Sequence, residues 1–267
     1  NPAKQKKVKT KKQKAIAATC AVAFWLLVWH VVSLCVGSEL VLVSPVKVVQ
    51  TLFTVIFDPD FLKTVWYSAA RILGGFFTAL TLGTVLGWVA SRFWVVETLL
   101  RPITAVIKAT PVASFIILVL LWFSGKNLSV IISMLMVFPV IYMNVLEGIR
   151  SADEELLEMA QVFRLSVSKK LLYIYLPAVA PFFVSACSVS LGLCWKSGIA
   201  AEVIGTPDGS IGAVFYQAKI FLQTSELLAW TVVVVAVSVA FEKLFMLLLR
   251  LVLKKLKMED VLNGKRA

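Results

Sequence analysis

Four ionisable side chains, Arg71, Lys108, Lys196 and Glu202, fall within or at the ends of long apolar runs, and Glu242 does the same further along the chain. A lone charge in hydrocarbon costs several kcal/mol unless it reaches the interface, pairs, or meets water. Each of these residues is therefore either tied off or set beside a polar pathway. A second group is its opposite: a charged stretch of roughly 27 residues, Ser151 to Pro177, interrupts an otherwise greasy sequence. Neither group has the makings of catalysis, because no nucleophile and base, or acidic pair, share one depth. His30 is the single histidine and there is no Cys-x-x-Cys pair, so no metal site is expected. Cys20, Cys35, Cys187 and Cys194 lie in apolar runs, where a thiol acts as a small apolar group.

The elements that must position these residues follow from composition. The 267 residues are 60% hydrophobic and only 16% charged, with a mean hydropathy of +0.89, far too apolar for a soluble domain of this size. A helical span needs about 20 apolar residues. Six runs qualify, 15–37, 64–90, 103–123, 128–149, 178–203 and 227–250, predicting an all-α polytopic membrane protein with both termini on one side.

Seven lysines between Lys4 and Lys14, and Arg250, Lys254, Lys255, Lys257, Lys265 and Arg266 at the other end, put both termini in the cytoplasm by the positive-inside rule. Arg92, Arg101, Arg150, Arg164, Lys169 and Lys170 then also fall inside, whereas Lys47, Lys63, Lys126 and Lys219 fall outside. The net charge of +12 thus reads as topogenesis rather than nucleic-acid binding, since the basic residues flank spans and form no recognition helix. The first span follows a basic tail but lacks a small-residue cleavage site with a polar region beyond it, so it is expected to stay as an anchor. The organisation expected is a basic tail over 1–14, a first span and outer interfacial segment over 15–63, a core over 64–250, and a second basic tail over 251–267.

Within this frame Ser44 to Phe57 is predicted as a short interfacial helix with Pro45 near its start. Gly74, Gly75, Gly83 and Gly87 in the second span, and Ser188, Gly192, Ser197, Gly198, Ala200 and Ala201 in the fifth, predict close helix packing inside the bundle. Pro111 and Pro139 each remove a backbone hydrogen bond and predict kinks, static or beside a pathway. GTPDGSIG, residues 205–212, is turn chemistry, and the run from Ala213 to Leu222 after it is too brief to cross.

Lys196 lies about 24 Å along the fifth helix from a start near Ala180, in its outer third, where snorkelling would satisfy it. Glu202 stands two turns further on, near the exit. Arg71, near the outer end of the second span, reads as an anchor or a partner of an acidic loop residue, and Glu242, followed by Lys243, as interfacially solvated.

In the charged stretch, Ser-Ala-Asp-Glu from Ser151 forms a capping-box pattern that predicts a helix start. Asp153, Glu154 and Glu155 suit its first turn, and Leu156, Met159, Ala160 and Phe163 recur at i, i+3, i+4 and i+7 as one apolar face. Ser166 or Ser168 can begin a second helix running through LLYIYL to Pro177. The first helix is too short to be stable alone, so it requires a partner surface, in its own bundle or in another protein.

The sequence from Glu158, EMAQVFR, then LSVSKKLLY, then IYLP, resembles the EAA loop of permease subunits of binding-protein-dependent ABC importers: EAA, three residues, Gly, nine residues, Ile-x-Leu-Pro. Glu158, Ala160, Ile174, Leu176 and Pro177 match at the family's spacing, whereas Met159 replaces the second position and Arg164 stands where glycine is expected. A non-glycine residue in a left-handed turn costs on the order of 1 kcal/mol, so either the turn differs or that strain is accepted. SPVKVV, SAARILGGFFTALTLGTVLG, WKSGIAAEVIG and AWTVVVVAVSVAFEKL are similar to the nitrate, sulfonate and taurine branch of these permeases.

The resemblance implies a type I importer permease fold in a bacterial cytoplasmic membrane and a second permease copy. It also implies two cytosolic ATPases that carry ATP and Mg and dock on the EAA loops at Glu158, Met159, Ala160, Phe163, Arg164, Ile174, Leu176 and Pro177, and an external substrate-binding protein. This chain would be a conduit without a cofactor of its own. Consistent with that, it has no G-x-x-x-x-G-K-[ST] phosphate loop. If Lys196 faces the dimer axis, it supplies positive charge to an anion pathway; Glu202, Arg71 and Lys108 are further pathway candidates. The rival reading is a secondary transporter driven by an ion gradient, a class that commonly carries midplane carboxylates and internal repeats.

Overall fold

A computed structural model describes residues 11–256, with side chains from Ile16 onward apart from Ala18. The basic residues before Lys11 and after Leu256 that were used for topology lie outside the described residues. The described residues divide into two compact units, one up to residue 58 with 218–232, the other 59–217 with 233 onward.

In the first unit, α1 (Lys11–Val36) exposes apolar side chains on all sides, Phe24, Trp25, Leu27 and Leu34 among them. A helix apolar all round belongs in hydrocarbon or a deep core. The expected short helix is α2 (Pro45–Ile56), with Pro45 in its first turn and the Ser44 hydroxyl accepting from Lys47 N at 3.4 Å. Trp29 Nε1 donates to Val43 O at 3.1 Å and joins the connection back to α1.

The second unit is built on α3 (Phe61–Arg92), α6 (Gly125–Arg150) and α9 (Leu176–Gly205), with α6 packed along both of the others, which meet each other over a shorter stretch. Their shared core holds Ile72 and Phe76 of α3, Val137 and Ile141 of α6, and Leu191 and Trp195 of α9. Backbones approach closely because glycines face them. A Cβ at Gly83 would lie 2.9 Å from Ile141 Cβ, and one at Gly198 would lie 2.6 Å from Ile72 Cγ1. The expected small-residue packing therefore holds at Gly75, Gly83, Gly87 and Gly198, but not at Gly74 or Gly192, which meet nothing within 4 Å. Residues 233–255 of α11 (Thr224–Lys255) also belong to this unit, and Phe245 meets Phe76 edge-on at 5.3 Å.

Among the described residues, five helices are long and apolar enough to span a bilayer, or six if a bent pair counts as one. The bent pair corrects the third predicted span. Instead of one rod over 103–123 there are α4 (Trp94–Ala109) and α5 (Val112–Leu120), meeting at 106°. Pro111 has no N–H to continue the ladder, and Thr110 before it is extended at φ −81° and ψ 132°, as a residue preceding proline prefers. Pro139, by contrast, is buried inside an unbroken α6. The Arg150 guanidinium pairs with Glu97 in the first turn of α4.

Candidate functional site

The 151–177 stretch begins differently from its capping-box pattern. α6 runs on to Arg150, so Ser151 ends that helix, its N–H bonded to Glu147 O and its hydroxyl to Gly148 O. The next helix, α7 (Glu154–Val162), starts three residues later and is capped by Asp153, whose carboxylate accepts from Glu155 N at 3.0 Å. Glu154 and Glu155 occupy its first turn, where the helix dipole favours them.

α7 ends in a Schellman turn. Leu165 N donates to Ala160 O at 2.9 Å, Arg164 N to Gln161 O at 3.0 Å, and Leu165 folds back to pack beside Ala160. This geometry requires a left-handed residue, and Arg164 takes it at φ 49°. The turn expected of a glycine is thus built without one, and the strain is accepted. Ser166 then starts the four-residue α8 (Val167–Lys170).

The second helix does not stop at Pro177. A π-helical turn, Leu171–Tyr175, carries the chain directly into α9. Pro177 cannot donate to Tyr173 O and its ring crowds that carbonyl, and the wider turn absorbs both defects. Tyr175 meets Trp88 of α3 edge-on at 5.6 Å, so this return arm is held against the bundle.

The side chains here divide into two faces rather than the single one expected. Ala160 is fully buried with Ala152 and Ile174, against Leu157 and Leu165. Leu156, Met159, Val162, Phe163 and Val167 are exposed, Phe163 by 71%. Of the apolar face predicted from periodicity, only Ala160 turns inward. Leu157 does the packing that Leu156 was expected to do. Glu158 and Arg164 are exposed, and Leu176 and Pro177 are half-buried.

The far end of α9 holds a second constellation, about 39 Å along the helix from Leu176 at 1.5 Å per residue. Glu202 is completely buried there, not at a solvated exit. The Ser68 hydroxyl of α3 donates to its Oε2 at 2.6 Å, and Gly212 N donates to the same oxygen at 3.3 Å. Ser68 Oγ in turn accepts from Ile211 N at 2.9 Å, and Ser210 Oγ from Ala213 N at 3.0 Å.

The first amides of α10 (Ile211–Ile220) are therefore each satisfied, by a serine, a carboxylate and a capping serine in succession. This anion at a helix N-terminus is supplied by the chain itself. The fit is tight, since a Cβ on Gly212 would overlap Glu202, and one on Gly125 would overlap Gly205 O. Thr206, at φ 40°, turns the chain out of α9 and donates its N–H to Glu202 O.

Ser129 of α6 and Arg71 of α3 also act on the Glu202 carboxylate, and Arg71 Nε is buried without a hydrogen bond. Arg71 instead lies over the Tyr67 ring, 4.4 Å from its centroid, and so is not the partner of an acidic loop residue.

The other candidates are dispersed. Lys196 is exposed on the face of α9 that also exposes Ser185 and Val189. Lys108, at the last turn of α4, reaches Met143 Sδ at 3.5 Å. Glu242 is not simply solvated: Ser188 of α9 donates to its Oε1 at 2.7 Å, in an open groove of about 410 Å³ that Lys243 and Arg250 also line. Ser68 and Gly212 escaped the reading of the sequence. The available signal was Ser210, a serine cap directly before a short apolar helix and eight residues after a carboxylate.

The model of the binding-protein-dependent transport system inner membrane component family matches residues 79–258. The chain is 29% identical to an aliphatic sulfonates transport permease protein, SsuC, of Bacillus subtilis (strain 168), over 86% of this chain and 83% of that one. It is 27% identical to the taurine transport system permease protein TauC of Escherichia coli (strain K12), over 80% of each. It is 26% identical to the nitrate import permease protein NrtB of Synechocystis sp., over 76% of each. The match takes in α6, the exposed elbow 154–175, α9 with its buried carboxylate and α11, and the chain belongs to the binding-protein-dependent transport system inner membrane component family: a multi-pass inner-membrane permease, a transport component and not an enzyme.

Proposed function

We propose that two copies of this chain enclose the pathway of an ATP-driven importer for a small anion of the sulfonate, taurine or nitrate kind, with both termini and the 151–177 elbow in the cytoplasm. An external binding protein delivers the solute. A cytosolic ATPase grips each elbow, and closure of the ATPase pair on ATP draws the elbows together and turns the pathway outward.

The observation that carries this reading is the outward face of the elbow. Met159, Phe163 and Val167 stand exposed beside Glu158 on a stretch whose inner face, Ala160 and Ile174, is already packed. Large apolar side chains fixed outward by a Schellman turn and a buried inner face suit a protein partner, since burying each contributes about 1.5–3 kcal/mol. Of the cations named as candidates, Lys196 has no polar contact among the described residues and is exposed on α9, where a charge needs water, an interface or an anion.

The test is to purify the tagged chain from its native membrane and look for a P-loop ATPase in the complex. Met159→Ser with Phe163→Ser should reduce its recovery at least tenfold and leave the permease folded. Unchanged recovery removes the elbow from the coupling role. In vesicles holding the complex, Lys196→Ala should lower uptake of taurine, methanesulfonate or nitrate with assembly intact. Equal uptake of all three returns Lys196 to the lipid interface.

A further inference from the structure

The last helix changes character before it ends. From Leu244 to Leu253 α11 is apolar at every position but Arg250, and Lys243 stands at the head of this run. The two cations lie about 18 Å and about 8 Å from the Lys255 end of the helix. Both are exposed, and neither makes a hydrogen bond or an ion pair among the described residues. A cation among apolar side chains in a span is costly unless it meets water, an interface or an anion. Seven residues apart, the two share one face of the helix, about 10.5 Å apart along its axis. Two long side chains can close that distance around one small anionic group.

Lys243 and Arg250 also line one open groove of about 410 Å³ between α9 and α11, a volume within the range of small-ligand sites. Its walls are of two kinds. Ser188, Glu242, Lys243 and Arg250 supply polar groups, and Val239, Met246 and Leu247 supply apolar ones, with Val239 and Leu247 exposed. Glu242 does not tie the cations down: the Ser188 hydroxyl donates to its Oε1 at 2.7 Å, and no ion pair joins it to Lys243 or Arg250. Two cations against one carboxylate leave a single positive charge in the groove. The matching ligand therefore has one negative charge and an apolar body. A free inorganic anion would leave Val239, Met246 and Leu247 uncovered, and a doubly charged group would meet more repulsion from Glu242.

We infer that this groove seats a phospholipid of single net negative charge, its phosphodiester between Lys243 and Arg250 and an acyl chain along Val239, Met246 and Leu247. Basic pockets between spans are sites at which membrane proteins take lipid headgroups. Next to the groove, toward the Lys255 end of α11, Leu253 is buried with Ala180 of α9, against Leu176, Val184 and Leu249. The lipid thus lies along the seam that joins the last helix to the base of α9, where the return arm of the elbow enters, and it braces that seam. The site requires only that α11 lies in a bilayer. It does not depend on the ATPase, the solute or the side on which the termini stand.

The test is native mass spectrometry of the delipidated full chain, titrated in detergent with phosphatidylglycerol, phosphatidylethanolamine or phosphatidylcholine of the same acyl chains. Phosphatidylglycerol should be retained at one molecule per chain, at least tenfold more strongly than the other two. Lys243→Gln with Arg250→Gln should lower that retention at least fivefold. Lys254→Gln with Lys255→Gln removes the same charge from residues outside the groove and should lower it less than twofold. Glu242→Gln keeps an acceptor for Ser188 and removes the repulsion, so it should strengthen phosphatidylglycerol binding at least twofold. Unchanged or weaker binding in Glu242→Gln overturns the assignment, as does a preference for phosphatidylethanolamine, whose ammonium would then sit on the carboxylate. Equal retention of the three lipids, equal loss in the two double variants, or displacement of the lipid by inorganic phosphate overturns it too. Both groove cations are exposed, so their double variant should keep the parent's melting temperature in lipid-free detergent. Should it not fold, the sign of the Glu242→Gln effect decides alone.

Discussion

The elbow before α9 and the knot at its far end handle awkward groups in opposite ways. The elbow leaves Met159, Val162 and Phe163 in the open although it has an apolar cluster of its own at Ala160 and Ile174. The knot takes a full charge out of solvent and supplies donors for it from α3 and α10. Apolar surface left outside, on a rigid and strained mount, is the surface on which the proposed ATPase contact rests. Charge brought inside and met by donors from α3 and α10 ties those two helices to the end of α9. One helix therefore joins an exposed elbow to a buried polar knot about 39 Å away.

The sharpest way to break this comparison is to fill the knot. Gly212→Val places atoms on top of Glu202, in contact with main chain that has nowhere to move. The expected cost is about 3 kcal/mol or more, in the range of severe overpacking. Scanning fluorimetry in detergent should show a markedly lower melting temperature, whereas Gly74→Val, at a glycine with nothing within 4 Å, should melt as the parent does. Equal melting of the two variants means that the close approach of α9 and α10 is not a constraint.

The folding of the elbow should respond to its inner face, not its outer one. Ala160→Leu overfills a site at 0% exposure and should cost about 1–3 kcal/mol locally, lifting α7 off Ile174 and reducing ATPase recovery together with protease resistance of the segment. Met159→Ser should reduce recovery with protease resistance retained. If both variants lose both properties, the two faces of α7 are not separate devices.

What was legible in the sequence follows the same division. Spans, the short α2, the small-residue contacts at Gly83 and Gly198 and the serine that starts α8 all came from local pattern, because hydrophobic length, proline and cap chemistry act within a few residues. The errors are tertiary. Periodicity shows that Leu156, Met159 and Phe163 share a face of α7, but it cannot say whether that face meets the bundle or open space. Ser151 carries a sound capping pattern, yet the preceding helix claims it first. Pro111 breaks a span, whereas Pro139 and Pro177 are absorbed, the last by a π-turn. The site of Glu202 was hidden because its partners come from residues 134 positions earlier and 10 later.

The smallest effect expected concerns Arg164, where the family resemblance calls for glycine and this chain carries a residue with a Cβ. Its φ of 49° is available to glycine without the Cβ clash that an arginine carries. Arg164→Gly should therefore relieve about 1 kcal/mol of local strain, less what glycine's greater freedom in the unfolded chain takes back. The Schellman bonds from Leu165 N and Arg164 N are main-chain bonds and persist in the variant, so slower hydrogen exchange at those two amides is the readout, with no shift in the exchange of α10. Faster exchange there would show that the exposed arginine side chain supports the turn, and that this chain replaced the glycine for stability. A gain of stability with weakened ATPase recovery would instead make Arg164 part of the outward docking face, retained at the turn for its charge in spite of its conformational cost.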